Sequence, residues 1–287
     1  MTADREMLLP VGTHIGPSPA SATPARLRID RIGERSVVRA AFAKSPLRLL
    51  TPGNHGQAAW VYASTLGGGL VDGDQIRLEV AVSSGAACVL SSQGESRVYR
   101  SPSGCSHELR AEVEERGLLA VIPDPTVCFA GARYRQRTEI SLAPSAALVF
   151  SDVLLAGRSA RGERWVFGRY TAELVLRIGD RTLIEERLLL DPAHGPVRQR
   201  FGRFDAFATL LLAGGPVRAA AAALHEEIDS TSVSARAEQL VSASPLGEDA
   251  LLIRMAAVSG EALVHGIRAH LSFLPGLLGD DPWARRN

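Results

Sequence analysis

The chain is poor in several things that would decide its class at once. Lysine occurs once, as Lys44, beside 31 arginines, and 32 basic against 31 acidic side chains leave a formal charge of only +1. A balance that close provides no global field toward nucleic acid or anionic lipid, so neither is expected as a partner. Aromatic residues make up 5% of the chain, few for a surface that would stack sugars. The three cysteines, Cys88, Cys105 and Cys128, are odd in number and irregular in spacing in a chain of 287 residues, which argues for reduced thiols and a cytoplasmic setting. No apolar run approaches the roughly 18 residues of a spanning helix, since Leu210-Leu211-Leu212-Ala213 ends at Gly214-Gly215-Pro216.

Catalytic signatures are missing too. No G-x-S-x-G, H-E-x-x-H, dinucleotide-binding or P-loop pattern is present, and the seven histidines lack ligand spacing. An enzyme is therefore not expected. The best enzymatic alternative is a carboxylate-pair hydrolase using two of Asp72, Asp74, Asp152 and Glu163 on a β scaffold. No tightly bound cofactor and no fixed metal site are expected either, because a tight site needs thiolate or clustered histidine ligands.

What the chain does contain is a long succession of strands. Arg26 to Asp30, Ser36 to Lys44, Ala59 to Ala63, Leu118 to Ile122, Glu139 to Leu142 and Ala146 to Leu155 all have strand-forming composition. Ile76, Leu78, Val80 and Val82 alternate, Ser83-Ser84-Gly85 reads as a turn, and Ala87 to Leu90 as the returning arm of a hairpin. Trp165 to Ile178 and Leu183 to Leu190 form a second hairpin around Gly179-Asp180. The expected fold is mainly β, with extensive antiparallel sheets in a β-helix-like or sandwich-like body.

The last third adds helices at Val217 to Ile228, at Ser234 to Ser242, and from Ser259 to about Phe273, where Pro275-Gly276 should stop the chain; Leu251 to Ala256 is one more strand. Residues 1–25 are expected to be a flexible leader and 26–287 a single domain.

Candidate chemistry centres on the stretch Thr65 to Ser101. Gly67, Gly68 and Gly69 allow a sharp turn just before Asp72 and Asp74, and alternation places Glu95, Arg97 and Tyr99 on one face. Read as structure alone, Asp72 and Asp74 cap a turn, the Glu95 region is a solvated ion pair, and Arg133, Asp152, Arg158, Arg161 and Glu163 form a salt-bridge network. Read as function, Asp72 and Asp74 offer oxygen ligands to a hard or borderline cation, but a lone D-x-D without a third acidic position lacks the loop pattern of a calcium site.

Leu66-Gly67-Gly68-Gly69-Leu70-Val71-Asp72-Gly73-Asp74, then Gly85-Ala86, Ser92-Gln93 and Arg97-Val98-Tyr99-Arg100-Ser101, resemble in order and spacing the UreD (UreH) family of urease accessory proteins. Pro123-Asp124-Pro125, Phe129-Ala130-Gly131-Ala132-Arg133-Tyr134 and Gly157-Arg158 extend the resemblance over most of the chain. Ser91-Ser92 replaces paired threonines, Glu95 is added before Arg97, and Cys128 stands where the family often has proline. The resemblance implies a maturation scaffold that binds UreF, through it the nickel-delivering GTPase UreG, and apo-urease, with a dimer through UreF left open. It also implies an interior polar surface that carries nickel in transit. The ion-path candidates are Asp72, Asp74, Glu95, Arg97, Tyr99, Arg133, Asp152 and Glu163. A related module serving another metalloenzyme is the remaining alternative.

Overall fold

The computed structural model describes residues 23–53 and 56–284. The expected leader (except residues 23–25), His14, His55 and residues 285–287 lie outside the described residues. The first strands are β1 (Ala25–Ile32), β2 (Arg35–Phe42), β3 (Leu47–Leu50), β4 (Ala59–Thr65), β5 (Gln75–Val82) and β6 (Ala87–Ser92). Next come β7 (Ser96–Val98), β8 (Cys105–Val113), β9 (Leu118–Val121), β10 (Thr126–Cys128), β11 (Arg133–Leu142) and β12 (Ala147–Leu155). The chain continues through β13 (Arg169–Ile178), β14 (Arg181–Leu190), α1 (Val197–Phe201), β15 (Ala206–Ala213) and α2 (Arg218–Ser230). It closes with β16 (Gln239–Leu246), β17 (Ala250–Ala257), α3 (Gly260–His270) and α4 (Leu274–Leu278). The protein is thus mainly β with a few C-terminal helices.

Two sheets stack face to face. One has seven strands in the order β14-β13-β11-β8-β5-β1-β2. The other follows β16-β17-β15-β12-β9-β6-β4-β3, with β10 bridging β12 and β7. Their middles are parallel: β5, β8, β11 and β13 pair in sequence on one side, and β6, β9 and β12 on the other. Antiparallel pairing is found toward the edges, including the expected hairpin β13–β14 around Gly179-Asp180.

The hairpin read from Ile76 to Leu90 is corrected by this topology. β5 and β6 do not pair; each belongs to a different sheet, and Ser83 to Ala86 is a corner between layers. The same corner recurs at 114–117 and 143–146, and the three stack. Gly85 N–H donates to the Glu115 carbonyl (2.9 Å), Ser84 N–H to the Glu114 carboxylate (2.9 Å) and Arg116 N–H to Ser145 Oγ (2.9 Å). Each passage through both layers is one coil of a β-solenoid, and the corner hydrogen bonds hold successive coils in register.

Burial follows the layers. In β5 the inward Ile76, Leu78, Val80 and Val82 are buried while alternate residues reach solvent, whereas β6 is buried throughout. One core lies between the sheets, built on Leu78, Val80, Leu119, Ile140, Leu148 and Leu176. A second lies between the larger sheet and the helices: Val89, Ala120, Val149, Leu210 and Ile253 meet Leu224 of α2, Leu263 and Ile267 of α3, and Leu278 of α4. Ser259 caps α3 as expected, accepting from the Ala262 N–H at 3.1 Å.

Two C-terminal expectations change. Ser234 to Ser242 is not a helix; from Gln239 it forms β16, paired antiparallel to β17, because the open edge of β17 supplies a hydrogen-bond ladder that outweighs local propensity. Pro275 does not end the helical region but occupies the first turn of α4, where its missing N–H costs nothing.

Among the described residues no element covers the outer face of the seven-stranded sheet, which is unusual for parallel strands. Arginine and glutamate cover it in cross-strand pairs, with Glu139 facing Arg110, Arg137 and Arg177 at 3.9, 3.4 and 2.6 Å.

Candidate functional site: a polar cavity between the sheets

The layer between the sheets changes character along the strands. Near the stacked corners the inward residues are apolar, among them Val82, Val113, Leu142 and Leu148. Toward the opposite end the inward positions become His107 on β8, Gln136 and Thr138 on β11, Asp152 on β12 and Ser92 on β6. These groups line a cavity of about 300 Å³ that also meets Leu70, Leu90 and Phe150. Its rim carries Gly68, Glu95 and Arg97; the latter two are paired at 3.9 Å, with side chains 46% and 53% exposed, so this end reaches solvent.

Asp152 is the chemical centre. Its Oδ2 accepts hydrogen bonds from the Gln136 amide, across the gap from the opposite sheet, and from the Tyr170 hydroxyl at 3.4 Å. Burial is the largest influence on its carboxyl and pushes it up to about 6, against those two hydrogen bonds. Burial acts on His107 in the opposite sense, pulling its imidazole down to about 4 and leaving it neutral at physiological pH. Tyr134 and Tyr170 are held well above the usual phenol range for the same reason.

A smaller hollow of about 20 Å³ adjoins the cavity and shares Gln136, Thr138, Phe150 and Asp152 with it. Its far side is formed by Glu173, Glu186 and Thr209. Glu186 accepts from Arg254 on β17 at 2.7 Å and is only 24% exposed. A line of polar groups therefore runs from the Glu95–Arg97 rim, past Asp152, to Glu186 near the opposite side of the sandwich.

Of the residues singled out in the sequence, Glu95, Arg97 and Asp152 line this cavity. Asp72 and Asp74 do not: Asp72 accepts from the N–H groups of Ser103 (2.8 Å) and Gly104 (3.1 Å), and Asp74 from that of Val71 (2.8 Å). Glu163 is engaged by Arg158 and by the Ala130 N–H at 3.3 Å, and the guanidinium holds its carboxyl below the usual range. Tyr99 packs edge-on against Phe129 at 5.1 Å, while Arg133 projects from the open sheet face among Ser106, Arg135 and Arg169. The structure thus places the carboxylates Asp72, Asp74 and Glu163 in turns and loop ties, which does not assemble the acid and base of a hydrolase around Asp152.

Sequence reasoning missed His107, Gln136, Thr138, Tyr170 and Glu186. The available signal was parity: in β8 and β11 the polar residues His107, Gln136 and Thr138 share the phase of buried Leu109 and Ile140, which points them inward.

The glycine turn builds one wall of the rim. Gly67 and Gly68 adopt φ of 77° and 75°, and a Cβ on Gly69 would stand 2.6 Å from the Arg97 carbonyl oxygen and 2.7 Å from the Tyr99 ring. Leu70 N–H then donates to that same carbonyl at 2.8 Å. All three thiols are free and buried, and burial pushes Cys88 up to about 12 and Cys105 to about 11, which makes them poor ligands and nucleophiles. Among the described residues no three His, Cys, Asp or Glu side chains converge to hold a metal ion, and no helix is long and apolar enough to cross a membrane.

Comparison with known proteins accounts for the motifs that meet at this rim. Residues 22–286 match the family model described as UreD urease accessory protein. The chain is 48% identical to the urease accessory protein UreD of Sorangium cellulosum over 92% of its length and 84% of that relative. Identity to UreD of Anaeromyxobacter is 40%, covering 92% and 89%, and to urease accessory protein D of rice 33%, covering 93% and 96%. The chain belongs to the UreD family of urease accessory proteins.

Proposed function

We propose that this protein is a non-catalytic maturation scaffold that passes nickel through its interior to apo-urease. The observation that carries the reading is the polar cavity between the sheets, reaching solvent at Glu95 and Arg97 and sharing the Asp152 wall with the hollow at Glu186. A buried carboxylate, amide and hydroxyl lining costs folding free energy, since apolar residues of similar volume would pack without polar desolvation. Such a lining is explained by an ion that exchanges water for protein oxygen ligands.

In this reading UreF docks on the scaffold and brings the GTPase UreG, which hydrolyses GTP and releases nickel into the passage; urease receives it at the other end. Nickel is cargo and no cofactor stays bound, and the work is done in the cytoplasm. The carboxylate of Asp152 attracts the cation at neutral pH, and the absence of a multi-thiolate or multi-histidine cage among the described residues keeps it exchangeable.

The test is nickel content of urease purified after co-production with Asp152→Asn and with wild type, all accessory proteins present. The amide retains volume and removes charge. Nickel per active site should fall several-fold with the variant; unchanged loading would refute the passage.

A further inference from the structure

We propose that His107 is a ligand for the passing cation, forming with Asp152 an imidazole and carboxylate pair inside the cavity. The inference rests on the passage reading above.

The topology brings the two together. His107 on β8 is the register partner of Gln136 on β11, and neighbouring strands stand about 4.8 Å apart. Gln136 in turn donates its amide to the Asp152 carboxylate from the opposite sheet. The imidazole is thus one strand removed from the residue that holds the carboxylate, and both face the same cavity.

His107 Nε2 is buried and has no hydrogen-bond partner among the described residues. Buried polar side-chain atoms are nearly always paired, so an orphan nitrogen facing a polar hollow marks a place where something else binds. Ser92 Oγ, by contrast, accepts from the Asp124 N–H at 2.7 Å and so is engaged in the wall. An aromatic nitrogen with one carboxylate oxygen favours borderline divalent ions such as Ni²⁺, Co²⁺ and Zn²⁺ over Mg²⁺ and Ca²⁺. Two protein ligands, with water completing the sphere, hold such an ion weakly enough to release it.

The experiment uses the purified full-length protein and Ni²⁺ alone. In the wild type, labelled on histidine nitrogens, paramagnetic Ni²⁺ should broaden the His107 ring signals before those of other histidines. By calorimetry His107→Gln should weaken Ni²⁺ binding about tenfold and leave Mg²⁺ unaffected. Sharp His107 signals under saturating Ni²⁺, or equal Ni²⁺ affinity in the variant, would overturn the proposal. Parallel urease loading separates the two ideas: if Asp152→Asn lowers nickel while His107→Gln binds and delivers it normally, His107 is a wall group only and the passage stands. If His107→Gln loses Ni²⁺ affinity but neither variant alters loading, the site exists and the passage reading fails.

Discussion

The carboxylate of Asp152 on β12 accepts a hydrogen bond from the Gln136 amide on β11, joining the two sheets at the point where their shared interior turns polar. The link is an electrostatic compromise: burial raises the carboxyl to about 6 although Gln136, Tyr170 and the Val153 backbone donate hydrogen bonds to it. Asp152→Asn should therefore raise stability at neutral pH by about 1–3 kcal/mol, the free energy of a shift of one to two pKa units. Urea unfolding at pH 7.5 measures it, and the prediction is a gain in stability alongside a loss of nickel delivery.

Protonation of His107 and Asp152 should act on stability in opposite directions in the metal-free protein. His107 falls from 6.5 to about 4 on folding, so the unfolded chain holds more protons between those values. Its contribution is full above 6.5 and is lost as pH falls through 4. Asp152 rises from 3.8 to about 6, so its contribution is full below 3.8 and is lost as pH rises through 6. The slopes nearly cancel in that window. Denaturation midpoints from pH 4 to 6.5 should fall with rising pH in His107→Gln and rise in Asp152→Asn, each relative to wild type.

Arg116 adopts φ of 57° at the third position of its corner, where the stacked corner above has Gly85 at φ of 69°. Left-handed backbone costs a side-chain-bearing residue about 1 kcal/mol that glycine avoids. Arg116→Gly should stabilise the solenoid by about 0.5–1 kcal/mol, read as a higher thermal midpoint.

Gly69→Ala should do the reverse. The added methyl would meet the Arg97 carbonyl oxygen at 2.6 Å and the Tyr99 ring at 2.7 Å, forcing the glycine turn away from the rim. Overpacking of this kind costs about 1–3 kcal/mol, and proteolysis should become faster within residues 66–74.

Much of the fold was legible once two strand patterns are told apart. Alternating strands such as Gln75–Val82 form the sheet with an open, ion-paired face, and continuously apolar strands such as Leu118–Val121 form the sheet covered on both sides. That contrast could have exposed the false hairpin, because two arms of one hairpin share the same pair of environments. Strand order was not legible, since parallel neighbours are about thirty residues apart and composition carries no record of which corners stack. Glu95, Arg97 and Asp152 were found as charges among apolar residues; Asp72, Asp74 and Glu163 carried the same signal, and geometry decides for their turn-cap and ion-pair readings, with their oxygens occupied by backbone N–H groups and a guanidinium.

The most direct measurement of the passage is a plug. Thr138 points inward from β11 and lines both the cavity and the smaller hollow, so Thr138→Trp places an indole between them without changing charge. Urease co-produced with this variant should assemble with the accessory proteins, as pull-down verifies, yet contain little nickel and little activity. Full nickel content in that assembled complex, with the variant folded by circular dichroism, would contradict delivery through the interior.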